Sequence, residues 1–365
     1  MSETNYYIYR NNGNHFYRAV NEKKHVTMGF IGGSITDPRG RERWSEYVIS
    51  HIISEHPDVI VDIENAAIAS TGSNYAVFRA QRDLIDRNCD IIFIEYAVND
   101  RAVETSIRNA SREGLIRKLA NNTKADLVIV YTYADDFLPD MLEGKLPNSI
   151  MEFEELADYY GISSVFMSSY ALECVKNGTL RWEEWLPDGL HPANVGSRYY
   201  AKPVDALLDK MLKEKCENEV IYPKEPKYAD NWEFAEILPL DKIERNGYWR
   251  LYRCLDRPLV DRVLSSTCFG SSLKCNFEGS GIVLTVSFGK MSTNFRWRID
   301  GGEWTNNAGK RPEWLDDYNW LKTELLAQNL SDGIHTFELE VLPPKYGPYS
   351  TGCSFELVLM GILKN

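Results

Sequence analysis

Residues 26–36 read Val-Thr-Met-Gly-Phe-Ile-Gly-Gly-Ser-Ile-Thr, an apolar run that stops abruptly at two glycines and a serine. The run 26–31 is short and apolar on both faces, as a strand buried between two helical layers should be. Four further runs share its texture: 58–64 (DVIVDIE), 90–96 (DIIFIEY), 126–133 (DLVIVYTY) and 162–167 (ISSVFM). Between them lie helical patterns. Trp44, Tyr47, Val48 and Ile52 recur at helical spacing, as do Val77, Ala80, Leu84 and Ile85. Alternation of strand and helix predicts a mostly parallel sheet joined by right-handed crossovers, hence a three-layer α/β/α domain over roughly residues 25–215.

Outward from that domain the texture changes twice. A Leu-, Met- and Lys-containing helix over 196–215 closes it, and 216–240, with Pro223, Pro226 and Pro239 and no period, reads as a linker. Beyond it, 249–254, 282–288, 294–299, 335–342 and 354–360 are β-rich, separated by the turn clusters 278–281, 300–302 and 331–333. Residues 241–365 therefore read as an antiparallel β-sandwich. At the other end, Tyr6–Arg10 and His15–Ala19 flank Asn11-Asn12-Gly13-Asn14 and are expected to form a small hairpin within 1–24, part of the first domain (1–215).

Composition narrows the classes of partner. The net charge of −12 opposes a nucleic-acid backbone or an anionic membrane as main partner, and no Lys/Arg run stands out. No segment reaches the roughly 20 apolar residues of a membrane span. The start, MSETNYYIYRNNGNHFYRAV, has neither a basic opening nor an apolar core, so no secretory signal is expected. The 7 cysteines are dispersed without CxxC spacing, which fits reduced thiols. These features set the expectation of a cytoplasmic protein with no nucleic-acid or membrane partner, and they leave a homo-oligomer open.

Four short stretches sit where strands should end, at the edge where open α/β sheets bind ligands. Gly32-Gly33-Ser34, after the first strand, permits a sharp turn that exposes a serine; the same tripeptide also serves as a helix cap. Asp188-Gly189-Leu190-His191 places an acid within a loop turn of an imidazole. The acid can fix the tautomer and stabilise the imidazolium formed when histidine takes a serine proton. Asn99, in Ala97-Val98-Asn99-Asp100, offers an amide donor to a developing oxyanion, or simply closes the strand with a turn. Gly72, after the second strand, can aim its N–H at the same oxygen, or cap a helix.

Singly these are ordinary; in this order along one α/β chain they resemble the SGNH (GDSL-like) hydrolases, over about 25–215. The blocks of that family centre on Ser, Gly, Asn and His, matched here by Ser34, Gly72, Asn99 and His191, with Asp188 as the acid of its DxxH block. The resemblance implies a flavodoxin-like fold and a carboxylic ester hydrolase. Ser34, Asp188 and His191 would be catalytic, and Ser34, Gly72 and Asn99 would form the oxyanion hole. Two departures stand out: Gly32-Gly33-Ser34 for the usual GDS, and Ala97-Val98-Asn99-Asp100 for the usual GxND, where Ala97 threatens to narrow the pocket beside Asn99. Such a mechanism needs no cofactor, and no metal-ligand cluster is visible.

The β-rich half resembles jelly-roll modules attached to carbohydrate esterases, through Gly281-Ile282-Val283, Phe295–Gly302 and Asp332–His335. Trp182 and Trp185, just ahead of Asp188, either stack on a sugar ring or pack beneath the loop; Trp304, Trp314, Tyr318 and Trp320 invite the same question. The resulting expectation is an O-acetyl esterase acting on mannan- or xylan-derived oligosaccharides. The alternatives are a lysophospholipase or thioesterase, and a glycan-binding protein with a silent catalytic domain.

Overall fold

The computed structural model describes residues 6–10, 13–40, 43–215, 222–254, 257, 259–307, 319–344 and 352–364. The chain divides into two compact units, Met1–Glu233 and Phe234–Asn365.

The first unit is built on a six-stranded sheet. Its strands are β1 (Tyr7–Ile8), β2 (His25–Gly32), β3 (Ile60–Asn65), β4 (Ile91–Glu95), β5 (Asp126–Val130) and β6 (Ser163–Val165), in the order β1-β6-β5-β4-β2-β3. All neighbours are parallel except β1, which pairs antiparallel with β6 through Tyr7↔Val165 and Ile8↔Ser164. β4 and β5 are buried at every position, as their wholly apolar interiors require. β3 is the exception to the expectation of double burial: it forms an edge, and Ile60 and Ile63 are exposed.

Nine helices flank this sheet among the described residues: α1 (Asn14–Arg18), α2 (Trp44–Glu55), α3 (Ser73–Asp83), α4 (Thr105–Asn122), α5 (Leu138–Leu142), α6 (Asn148–Tyr159), α7 (Met167–Lys176), α8 (Trp182–Trp185) and α9 (Asn194–Lys213). The chain runs outward from β2 to β3, then back across β2 to β4. Right-handed crossovers therefore put α2 on one face and α3 on the other. The packing agrees: α9 packs against α1, α2, α7 and α8, and α4 packs against α3 and α6. The direction of winding reverses between β2 and β4. At such a reversal the loops leaving two adjacent strands part, opening a crevice at their carboxyl ends.

The expected N-terminal hairpin does not form. Tyr7–Ile8 extends the sheet, and Asn14–Arg18 is helical, continuing to Lys23. Phe16, Ala19 and Val20 are all fully buried; their i, i+3, i+4 spacing makes one apolar face on a helix, which a strand would split between two faces. The Phe16 N–H donates to Asp126 Oδ2 at 2.6 Å and ties this helix to the start of β5.

The stretch expected as a linker is divided between the units. Within the first, the Trp232 N–H donates to Ala110 O at 3.1 Å, Glu233 pairs with Arg117, and the Tyr228 N–H donates to Glu113 Oε2 at 2.6 Å, so this segment covers one face of α4. Ala110, Glu113 and Arg117 occupy i, i+3 and i+7, a single helical stripe.

The second unit is an antiparallel two-sheet sandwich. Its strands are β7 (Glu236–Leu238), β8 (Glu244–Asn246), β9 (Arg250–Arg253), β10 (Arg262–Ser266), β11 (Ser272–Glu278), β12 (Gly281–Phe288), β13 (Asn294–Ile299), β14 (Thr305–Asn306), β15 (Trp320–Ala327), β16 (Ile334–Leu342) and β17 (Phe355–Leu363). One sheet runs β15-β12-β17-β10-β9, with β7 also on β17; the other runs β14-β13-β16-β11-β8. β11 and β16 alternate buried and solvated positions, the period expected of a sheet with one wet face. Phe277, Leu284, Phe295, Phe337, Leu339 and Phe355 meet in its core.

Candidate active site

Gly32 ends β2, and the chain turns at once. The N–H groups of Thr36 and Asp37 both donate to Gly33 O, at 3.2 and 3.0 Å, so residues 33–37 wind into one tight turn that carries Ser34 on its outside. Asp37 is the clasp. Its carboxylate accepts the N–H of Ala69 at 2.8 Å and of Arg39 at 2.9 Å, and it is paired with the Arg39 guanidinium. Burial works to raise the pKa of Asp37, but these donors prevail and hold it below its ordinary value.

Ser34 Oγ lies 2.8 Å from His191 Nε2, and His191 Nδ1 lies 2.8 Å from Asp188 Oδ2. The other oxygen of Asp188 accepts the N–H of His191 at 2.6 Å and of Leu190 at 2.9 Å. One carboxylate thus shapes the loop and orients the ring. Partial burial pushes Asp188 upward, yet the two N–H groups and the imidazole keep it below the usual carboxylate range. Gly189 follows with φ +82°, a left-handed conformation that suits glycine. A Cβ there would also stand 3.0 Å from the Asp135 carboxylate.

Asn99 follows β4, which neighbours β2 across the winding reversal. Its carboxamide rests against Gly33, where an added Cβ would overlap it. The glycine at position 33 therefore makes room for Asn99 beside Ser34. Ala97, two residues earlier, is buried, and its carbonyl accepts the Ser149 hydroxyl at 2.6 Å. Asp100 fixes the third loop, because the Ser73 N–H donates to its Oδ1 at 2.9 Å and so locates Gly72. Asp100 is paired at 2.8 Å with Arg112, both side chains fully buried, and Arg112 donates in turn to Ser149. Among the described residues, the N–H groups of Ser34 and Gly72 and the Asn99 amide have no protein hydrogen-bond partner. Free donors on three adjoining loops are what an oxyanion requires.

The structure therefore brings Ser34, Gly72, Asn99, Asp188 and His191 together at the carboxyl edge of the sheet. Trp185 belongs elsewhere. It is fully buried, with ring centroids 5.0 Å from Tyr133 and 6.1 Å from Tyr200, so it packs under the Asp188–His191 loop and presents no face to a sugar. Trp182 is half-buried, edge-on to Tyr133 at 5.6 Å. In the second unit Trp304 is half-buried, with the guanidinium groups of Arg296 and Arg298 over its ring at 4.6 and 4.5 Å, and Trp320 packs on the sandwich core. Trp314 and Tyr318 lie outside the described residues.

Two buried groups near the site escaped the sequence reading. Glu95 and the Asp100–Arg112 pair are invisible to motif spacing, but Glu95 had one signal: it is the lone acid in the otherwise apolar run 91–95. Among the described residues no group of three or more His, Cys, Asp or Glu is placed to hold a metal ion, and no helix is long and apolar enough to cross a membrane.

No protein-family model and no curated protein matches the chain. Solved structures do. A two-domain esterase (CEX) active on acetylated mannans superposes with TM-score 0.81 at 21% identity, over 98% of this chain and 98% of that one. That structure was co-crystallized with mannopentaose; a second structure of the same esterase covers 99% of its own chain with the same score. The chain has the fold of that two-domain esterase. An acetylxylan esterase from Geobacillus stearothermophilus (Axe2) is matched over 50% of this chain and 94% of its own at TM-score 0.42 and 17% identity, a likeness too slight to argue from. The two-domain fold thus extends along nearly the whole chain, through both the parallel-sheet unit and the sandwich.

Proposed function

We propose that the chain is a serine carboxylic ester hydrolase that removes O-acetyl groups from acetylated oligosaccharides. One observation carries the chemistry: the hydrogen-bonded series Ser34–His191–Asp188 stands at the strand ends where three donors are left free. His191 Nε2 takes the Ser34 proton as Oγ bonds to the acetyl carbon, and the carbonyl electrons move onto oxygen. The N–H groups of Ser34 and Gly72 and the Asn99 amide hold that oxyanion. Its collapse breaks the bond to the sugar oxygen, which leaves with the proton from His191. Water, deprotonated by the same ring, then releases acetate from the acyl-enzyme. Asp188 keeps the proton on Nδ1 and stabilises the imidazolium.

For the substrate, the supporting observation is the fold shared along both units with an esterase active on acetylated mannans. Acetylated manno-oligosaccharides are therefore the first substrates to try, with xylo-oligosaccharides beside them. Acetate release should be measured from both, comparing the intact protein with Ser34→Ala. We expect release that vanishes in the variant. Ser34-dependent hydrolysis of longer acyl or thioesters, with none from either glycan, would keep the mechanism and move the substrate to lipids or thioesters. No Ser34-dependent turnover of any ester would leave a glycan-binding protein.

A further inference from the structure

Glu95 ends β4 with its side chain fully buried, directly beneath the turn that carries Ser34. Its Oε2 accepts the Gly33 N–H at 3.3 Å and the Thr36 hydroxyl at 3.1 Å; its Oε1 accepts the Thr132 hydroxyl at 2.8 Å. The Thr36 oxygen is engaged from its other side by the Trp44 indole N–H at 3.0 Å. An indole N–H only donates, so Thr36 is left to donate to Glu95. One carboxyl thus joins the turn after β2, the end of β4 and the residues after β5. Gly33 and Thr36 bracket Ser34 on both sides. Nothing in the ester-cleaving steps uses this group, and apolar strand residues would fill the space at lower desolvation cost.

We propose that Glu95 is a positioning residue for the nucleophile: by holding Gly33 and Thr36 it sets where Ser34 Oγ stands relative to His191 and to the Asn99 amide. This rests on Ser34 being a nucleophile. Burial works against the charge and, with nearby Asp100, pushes the Glu95 carboxyl up to about 7, so the turn is braced by a group whose ionised form is costly to keep. A carboxylate can accept on both oxygens, so it takes the Gly33 N–H and the Thr36 and Thr132 hydroxyls together. The ionisable or charged groups around it are Asp100, held by Arg112, and the buried Tyr96 and Tyr200.

The test compares the intact protein with Glu95→Leu and Glu95→Gln. It follows steady-state hydrolysis of an aryl acetate and the rate at which a fluorophosphonate labels Ser34, read by mass on the peptide. A misplaced nucleophile should lower kcat and the labelling rate together, roughly 10- to 100-fold in Glu95→Leu, with KM little changed. Glu95→Gln, which keeps an acceptor for Gly33 and Thr36, should recover most of the loss. If Glu95→Leu does not fold, the pair Thr132→Val and Thr132→Ser decides, the first slowing labelling and the second restoring it. Folded variants with unchanged kcat and labelling overturn the assignment. Absence of Ser34 labelling in the intact protein overturns the esterase proposal and takes this one with it.

Discussion

Asp188 does two jobs with one carboxylate, and separating them is the sharpest residue-scale experiment. Asp188→Asn keeps an oxygen for the N–H groups of Leu190 and His191 but turns an amide donor toward Nδ1, which favours the wrong tautomer. We expect the loop to persist by circular dichroism and kcat to fall by about 10²–10⁴-fold. Because Asp188 is held below its ordinary pKa, it stays ionised at neutral and mildly acidic pH, and its titration does not shape activity there. Glu95 behaves in the opposite sense. Its folded-state pKa of about 7 lies above the ordinary 4.5, so between those values the folded protein binds more protons than the unfolded chain. Stability contributed through this group therefore falls as pH rises through that window. Glu95→Gln removes the effect: its melting temperature, measured against the intact protein, should shift in the variant's favour on going from pH 5 to pH 8.

At the scale of elements, the site depends on how closely loops from neighbouring strands approach. β2 and β4 are adjacent, so the turn after one meets the loop after the other, and Gly33 is the point where they touch. Gly33→Asp, which writes the GDS of the SGNH hydrolases that the sequence resembles, should push the Asn99 carboxamide away and remove one proposed oxyanion donor. A loss of roughly 10²–10³-fold in kcat is expected, comparable to that of Asn99→Ala. If Gly33→Asp is fully active, Asn99 is not a donor in this protein. The loop before α9 shows a second kind of dependence. Trp185, just ahead of the Asp188–His191 turn, is buried against Tyr133, so this tryptophan serves geometry and not sugar stacking.

For the whole molecule, the boundary at Glu233 has a measurable consequence. A chain ending at Lys215 would lose Trp232 and Glu233, leaving Arg117 without its Glu233 partner and Glu113 without the N–H groups of Lys227 and Tyr228. Buried charges stripped of partners are costly, about 3–5 kcal/mol for each broken pair. A chain ending at Glu233 keeps these contacts. In urea titrations followed by tryptophan fluorescence, the longer version should unfold cooperatively and the shorter should be markedly less stable or insoluble. The longer version, lacking the sandwich, should also retain more aryl acetate turnover than oligosaccharide turnover. Equal losses would assign the sandwich to folding instead of recognition.

The sequence by itself determined the class of the fold and singled out the residues that the fold brings together after β2 and β4 and ahead of α9. Strand and helix periods, glycines at strand ends and the DxxH spacing are local properties, written within a few residues of one another. The sandwich was legible from alternation and turn clusters, though β7, β8, β10, β11, β14 and β15 were not singled out as strands. Only the tertiary structure decided the rest, because it depends on which distant residues meet. The N-terminal segment became a helix once Asp126 and the space for Phe16 were in place, and the expected linker was claimed as far as Glu233 by the stripe on α4. A tryptophan beside a catalytic-looking acid can face either way until its neighbours are known. Glu95 reads as an oddity in an apolar strand until packing brings it beneath Ser34, where burial and three donors make it part of the site.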